Sequence, residues 1–256
     1  MKSYDNFGNI VLVRFPETFS LRNKKKFAHK LLKEQKGIKT VLEKKERIKG
    51  RLRKLSTNYI AGENTKEVLY RENSCVFRFN IDKTYFSPRL SNERKEIASK
   101  IKKGEIVLVM FAGVAPYSIV IAKLSKAQKV FSNEINREAN KYAELNIRLN
   151  RVKDKVGLIN GDIKRIAGKI KNKFDVIIMP RPQLKGTFLK QAFQLSKKGT
   201  RIYYYDFCKD SEIDSVVEKI KKEAKKYKKK IKILNIKKAG EIAPYKIRLR
   251  IDFTIV

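Results

Sequence analysis

Glu134 closes an apolar run, Lys129-Val-Phe-Ser-Asn133, about 20 residues after Gly113, the spacing at which an acid can take both hydroxyls of a cofactor ribose. Asp162, in Gly161-Asp162-Ile163, ends the next apolar run and can accept from an adenine amine. The loop before them, Phe111-Ala-Gly-Val-Ala-Pro116, holds a single glycine, so the Gly-x-Gly-x-x-Gly fingerprint for a pyrophosphate is missing. Gly113 and Ala115 let the backbone turn sharply against a ligand, and Pro116 suits a first helical turn, where no amide donor is needed. A nucleoside cofactor without a phosphate, such as S-adenosylmethionine, asks less of such a loop. Glu134 also has a second reading, as a surface acid at the start of a helix from Asn136 to Asn150. Glu93 falls in the first turn of a helix capped by Ser91, where its plain reading is an acid that complements the helix dipole.

Other chemistries are excluded by count and spacing. His29 is the only histidine, so neither a histidine triad nor a multi-histidine metal site can form. Cys75 and Cys208 lack any Cys-x-x-Cys or Cys/His spacing and read as buried apolar positions, without a metal or a disulfide.

The elements that must carry these residues alternate. Residues 106–110 are β-branched, apolar and without alternation, as a central strand covered on both faces would be. A second apolar run at helical spacing follows Pro116. Further strands are expected at Val156–Ile159, Phe174–Met179 and Thr200–Tyr205, and an antiparallel pair at Ile231–Ile236 and Ile247–Val256, joined by a turn around Gly240 and Pro244. Strands alternating with helices predict an α/β chain with a doubly wound sheet and a ligand at the strands' carboxyl ends, where Phe111, Glu134, Asp162 and Pro180 fall. Residues 1–82 read as a smaller α+β unit and 83–256 as the main domain. In the smaller unit, strands are expected at Ile10–Arg14, Thr40–Leu42, Arg51–Leu55, Glu67–Tyr70 and Cys75–Ile81, with a helix at Leu21–Gln35.

A formal charge of +36, from 62 Lys and Arg against 26 Asp and Glu, opposes compaction unless a polyanion is the partner. Nucleic acid leads. No apolar run long enough to span a bilayer and no charged-then-apolar leader appears, so neither a membrane partner nor export is expected. The lysine-rich stretch Glu218–Lys238 reads as a solvated helix followed by a strand.

Taken together, Tyr85-Phe-Ser-Pro-Arg-Leu-Ser-Asn-Glu-Arg94, Met110-Phe-Ala-Gly-Val-Ala-Pro116, Asn133-Glu-Ile-Asn136, Asn146-Ile-Arg-Leu-Asn150 and Gly161-Asp162 resemble the archaeal and eukaryotic tRNA (guanine-N1)-methyltransferases acting at position 37, beside the anticodon. The likeness runs along essentially the whole chain, from Phe7-Gly-Asn-Ile-Val-Leu-Val-Arg14 through Thr40-Val-Leu-Glu-Lys44 and Ile60-Ala-Gly62. Segment 85–94 is particular to that family, whereas the glycine loop and strand-end acids fit many methyltransferases.

The resemblance implies a Rossmann-like methyltransferase sheet behind an RNA-side domain, S-adenosylmethionine as cofactor and the anticodon arm of tRNA as partner. Carried over residue by residue, Glu93 stands where the family has its general base and Arg53 where it has an arginine at guanine O6. Arg94, Phe111, Gly113, Glu134, Ile135, Asp162, Ile163 and Pro180 fall at the cofactor, and Tyr85, Arg181 and Pro182 at the base pocket. The residue types suit the chemistry. Guanine N1 is a poor nucleophile until its proton leaves, and the charge then spreads onto O6, so a carboxylate and a guanidinium meet the two needs. The sulfonium is already activated, so no metal is needed; a cytoplasmic monomer is expected.

Two departures stand out. The family's small N-terminal domain, which grips the outer corner of tRNA, has no counterpart before Tyr4, and Pro180-Arg181-Pro182 replaces the common Asn-Leu-Pro or Asn-Pro-Pro. The second departure resembles a subset of archaeal members that also methylate C7 of the tricyclic wyosine intermediate. The alternatives are an aminocarboxypropyl transferase acting on a wyosine precursor with the same cofactor, and a basic RNA-binding protein without catalysis.

Overall fold

The computed structural model describes residues 4–45, 50, 52, 54–180 and 186–256. The chain begins with β1 (Tyr4–Asn6), β2 (Ile10–Val13), α1 (Leu21–Glu34), β3 (Thr40–Lys44) and β4 (Thr57–Gly62). Their four strands lie in sequence order, with β2 and β3 parallel and the flanking pairs antiparallel. Parallel neighbours need a crossover, and α1 supplies it. Ser20 caps α1 by accepting from Asn23 N, and the helix buries Ala28 and Leu31 against Val11, Val13, Val41 and Ile60.

The hairpin of β5 (Glu67–Glu72) and β6 (Cys75–Asn80) comes next. The main sheet then follows as α2 (Ser91–Ser99), β7 (Ile106–Met110), α3 (Pro116–Leu124), β8 (Lys129–Glu134), α4 (Arg137–Leu149), β9 (Val156–Asn160), α5 (Ile163–Ile166), β10 (Phe174–Met179), α6 (Leu189–Leu195), β11 (Ser196–Cys208), α7 (Ile213–Lys226), β12 (Ile231–Ala243) and β13 (Lys246–Ile255). Its seven strands run β12-β13-β11-β10-β7-β8-β9. The pairs from β9 to β11 are parallel, and β13 is antiparallel to both of its neighbours. From β7 the chain winds one way to β9 and the other way to β11, so a topological switch point lies at the carboxyl ends of β7 and β10.

The doubly wound sheet expected from the alternation is therefore present, and β7 shows why its sequence has no period. Val107 and Val109 join one core with Ile97 and Ile119, while Leu108 and Met110 join another with Phe193 and Ile220. The first of these cores also takes in Phe7, Leu12 and Leu42 of the N-terminal sheet and Phe77 and Phe79 of the hairpin. Two asparagines dock that hairpin. Asn146 of α4 and Asn150, which caps its C-terminus one turn on, each accept from and donate to the backbone of β6: Asn146 pairs with Arg78 N and O at 2.8 and 3.1 Å, and Asn150 with Val76 N and O at 2.8 and 2.7 Å. Residues four apart on a helix thus meet residues two apart on a strand edge.

Several expectations need correction. The strand expected at Arg51–Leu55 lies instead at Thr57–Gly62; Leu52 is in a turn, and Arg51 and Arg53 lie outside the described residues. Ser91 is the first residue of α2 and not its cap, because the preceding 3-10 turn Pro88–Leu90 already carries the chain into the helix. The Ser91 hydroxyl accepts from Asn73 Nδ2 instead. Gly240 lies within β12, and the turn to β13 falls at Pro244 and Tyr245. Both cysteines are free and buried, and no helix among the described residues is long and apolar enough to cross a membrane.

Candidate active site

The carboxyl ends of β7, β8, β9 and β10 open into one cleft with an empty volume of about 920 Å³, counted with the solvent at its mouth. Tyr85, Arg94, Phe111, Gly113, Glu134, Ile135, Asp162, Ile163 and Pro180 all line it. The loop after β7 is built from left-handed residues: φ is 58° at Phe111, 58° at Gly113 and 66° at Ala115. Such conformations cost a non-glycine residue of order 1–3 kcal/mol each, so packing must hold Phe111 and Ala115 there. Phe111 rests edge-on against Phe188, ring centroids 4.9 Å apart, and Ala115 is fully buried. A Cβ on Gly113 would meet the Tyr85 carbonyl at 3.2 Å, so glycine is what lets segment 85–88 close over the loop.

Glu134 is half-buried, and among the described residues its carboxylate is held by neutral donors. Oε2 accepts from Gly113 N at 2.8 Å, and Oε1 from Ile135 N and Asn136 N at 2.9 and 2.7 Å. Burial raises its pKa above the usual carboxylate value, and the three backbone N–H groups offset this only in part. Two carboxylate oxygens offer about four acceptor positions, so Oε2 has room for one more donor. Holding both ribose hydroxyls therefore requires Gly113 N to yield. Asn136, not Glu134, caps α4, accepting from Glu138 N while its amide donates to Lys83 O. Asp162 caps α5 through Lys164 N.

The opposite wall is more polar than the sequence suggests. Arg94 is buried and paired with Glu72 of β5, Nε to Oε1 and Nη2 to Oε2 both at 2.5 Å, and Nη2 also reaches Ser87 O at 3.0 Å. Among the described residues that uses three of its five donors and leaves Nη1 for a ligand. Its guanidinium also lies 5.0 Å from the Phe86 ring and 5.8 Å from that of Tyr117. The buried Tyr117 hydroxyl has no well-formed hydrogen bond, and burial pushes its pKa up to about 12, so it remains a donor.

An acid with a spare acceptor, a guanidinium edge, and apolar walls at Ile135, Ile163, Pro180 and Phe188 fit a nucleoside with a charged amino-acid tail.

Glu93 does not line this cleft. It is 6% exposed, and its Oε1 accepts from the Tyr205 hydroxyl at 2.6 Å and Arg250 Nη1 at 2.5 Å. Oε2 faces Lys237 Nζ at 3.2 Å. Arg250 also binds Asp252 and Glu96, and Lys237 binds Glu96. Lys237 and Arg250 are opposite each other on β12 and β13, a like-charge pair that would repel without the acids of α2 between them.

Neither Tyr205, Lys237, Arg250 nor Asp252 was singled out in the sequence, and nor were Phe188, Asn133 and Tyr117. Arg53, Arg181 and Pro182 lie outside the described residues.

The sequence model described as the TRM5/TYW2 methyltransferase domain matches residues 68–234, and that of a TYW2 N-terminal domain matches residues 1–65. Over 254 residues the chain is 35% identical to tRNA (guanine(37)-N(1))-methyltransferase Trm5b of Pyrococcus abyssi, covering 99% of this chain and 74% of that protein. The crystal structure of that enzyme superposes with a TM-score of 0.88. A tRNA (guanine(37)-N(1))/4-demethylwyosine(37)-methyltransferase, Taw22 of Nanoarchaeum equitans, is 32% identical and is covered over 100% of its length, with 99% of this chain. The complex structure of aTrm5 and tRNALeu matches with a TM-score of 0.87 at 29% identity, over 99% of this chain and 72% of that one.

Proposed function

The chain belongs to the TRM5/TYW2 methyltransferase family, and from that premise we propose that it transfers the methyl group of S-adenosylmethionine to N1 of guanosine 37 in tRNA. The observation that carries this reading is the cleft at the switch point, lined by an acid with a spare acceptor and by Arg94, whose neighbour on α2 is the buried Glu93. When bound, the cofactor supplies an activated methyl on sulfur. Glu134 orients its ribose, Asp162 its adenine, and Arg94 Nη1 and Tyr117 its amino-acid tail. Glu93 takes the N1 proton as the N1–methyl bond forms and the sulfur–methyl bond breaks. Arg53 meets the negative charge that grows on O6.

In this reading residues 1–82 form the RNA-side domain and 83–256 the catalytic domain, acting as a monomer in the cytoplasm without a metal. The test is mass spectrometry of nucleosides from an unmodified tRNA transcript after incubation with protein and cofactor. Gain of one methyl on guanosine 37 is expected. An aminocarboxypropyl gain, or none despite cofactor binding, overturns the reading.

A second substrate has support of its own. The Nanoarchaeum relative's name covers 4-demethylwyosine, and Pro180 presents an apolar ring at the cleft where a side-chain amide is common in the family. A flat tricycle suits such a wall, and we propose methylation at its C7. Supplying tRNA that already carries the tricyclic nucleoside should give a further methyl; full activity on guanosine with none on the tricycle rejects this part.

A further inference from the structure

We propose that Lys237 is a catalytic residue for this methyl transfer, donating from its ammonium to guanine O6 while Glu93 Oε2 receives the N1 proton. The inference rests on the proposed function and assigns a role within it. Glu93 Oε1 is filled by Tyr205 and Arg250, so the oxygen with an acceptor position to spare is Oε2, and among the described residues its hydrogen-bond partner is Lys237 Nζ at 3.2 Å. Guanine presents N1–H and O6 side by side on a shared carbonyl carbon, which sets them about 2.2 Å apart by ordinary amide geometry. A carboxylate oxygen and an ammonium that already lie side by side therefore match that edge: donor to acceptor at N1, acceptor to donor at O6.

The two sides of Glu93 differ in how freely they can respond. Arg250 is fully buried and bound to three acids, Glu93, Glu96 and Asp252, so it holds Oε1 in place. The Lys237 side chain is 36% exposed and keeps a second anchor on Glu96. It can swing from Oε2 to O6 without losing all compensation. Burial alone would lower its pKa, but the hydrogen bonds to Glu96 and Glu93 outweigh that and raise it. Lys237 therefore stays an ammonium, a donor rather than a competing base. O6 has two lone pairs, so a contact from Lys237 leaves room for the role that the resemblance gives Arg53.

The proton balance is simple. N1 loses its proton to Glu93 Oε2, the methyl passes from sulfur to N1, and the O6 charge that Lys237 stabilises is discharged as the neutral N1-methyl base forms. S-adenosylhomocysteine leaves as a thioether, and Glu93 returns its proton to solvent.

The experiment compares single-turnover methylation by the wild type, Lys237→Met and Lys237→Arg on a tRNA transcript carrying guanosine or 6-thioguanosine at position 37. Lys237→Met should slow transfer to guanosine about 100- to 1,000-fold, the range of a lost charge-stabilising donor, with cofactor and tRNA affinities within twofold of wild type. Lys237→Arg should recover most of the rate. On 6-thioguanosine, whose sulfur accepts weakly, the gap between wild type and Lys237→Met should shrink towards one, because the two changes remove the same contact. A Lys237→Met rate at or above wild type overturns the inference, as does an undiminished gap on the thio base. Failure of the wild type itself to methylate guanosine overturns the function on which it rests.

Discussion

Glu93 is buried and Glu134 half-buried in the same framework, and the two carboxylates are held in opposite ways. Glu134 is gripped by three backbone N–H groups from residues near it in sequence or one strand away. Glu93 is gripped by a tyrosine, a lysine and an arginine from β11, β12 and β13, which lie 112, 144 and 157 residues further along the chain. Neutral dipoles do not fully offset burial, so the pKa of Glu134 rises. At Glu96, one turn beyond Glu93, burial also pushes upward, but Lys237 and Arg250 more than cancel it and the pKa falls. A carboxylate that must bind neutral hydroxyls can be fixed by backbone alone, whereas one that must sit among charges needs a preassembled ion network, and that network ties α2 to the C-terminal hairpin.

The sharpest break of this contrast is at Arg250. Replacing it with Met leaves Glu93 and Asp252 buried without their common cation, and losing one partner of a buried network costs about 3–5 kcal/mol. Urea unfolding should show that loss, and a change within the scatter of surface pairs would mean the network only decorates the fold. Next is Glu93→Gln, which keeps an acceptor for Tyr205 but cannot take a proton. Methyl transfer should fall on the order of 10²-fold, about 2.7 kcal/mol of barrier, with cofactor affinity unchanged. A near wild-type rate across pH would reduce Glu93 to a dipole partner of α2. Glu134→Ala should act on the other side of the comparison, weakening the cofactor by about 1.5–3 kcal/mol in calorimetry while tRNA affinity holds. Equal losses for both ligands would point to damage in the loop after β7.

The same contrast explains what could be read from the residues alone. The main sheet was legible because each of its central strands is a short apolar run, and the cofactor half of the site was legible because Gly113, Glu134 and Asp162 fall at strand ends in sequence order. The strand Thr57–Gly62 was hidden: its burial is broken, with Tyr59 and Gly62 exposed, and charged alternation at Arg51–Leu55 looked more strand-like. The asparagine clamp of Asn146 and Asn150 was visible only as part of a family pattern, since nothing in a helix says that its amides will imitate a strand edge. The Glu93 network had no local signal. Lys237 sits in a stretch so rich in lysine that its composition reads as solvated surface, and Arg248 and Arg250 alternate in β13 with Ile247, Leu249 and Ile251 as the polar face of a half-exposed strand would, although Arg250 is fully buried.

The smallest effect expected is on pH dependence, and it isolates Glu134. Its folded pKa is raised above the ordinary Glu value of about 4.3, so the folded protein without cofactor binds that proton more tightly than the unfolded chain does. The resulting stability is fully present below the unfolded value and is lost as pH rises through the folded one. Glu96 and Asp175 have lowered values, and their contributions run the other way, lost as pH falls through their folded values, so total stability mixes the signs. The difference between wild type and Glu134→Ala removes them. Cofactor binding gives the cleaner readout. A ribose hydroxyl donates to the ionised carboxylate, so binding below the raised pKa must expel a proton, and affinity should weaken by up to about tenfold per pH unit there. Above it the affinity should be flat. Glu134→Ala should bind more weakly with no such bend, and the comparison fails if both proteins bend alike, because the titrating group would then lie elsewhere in the cleft.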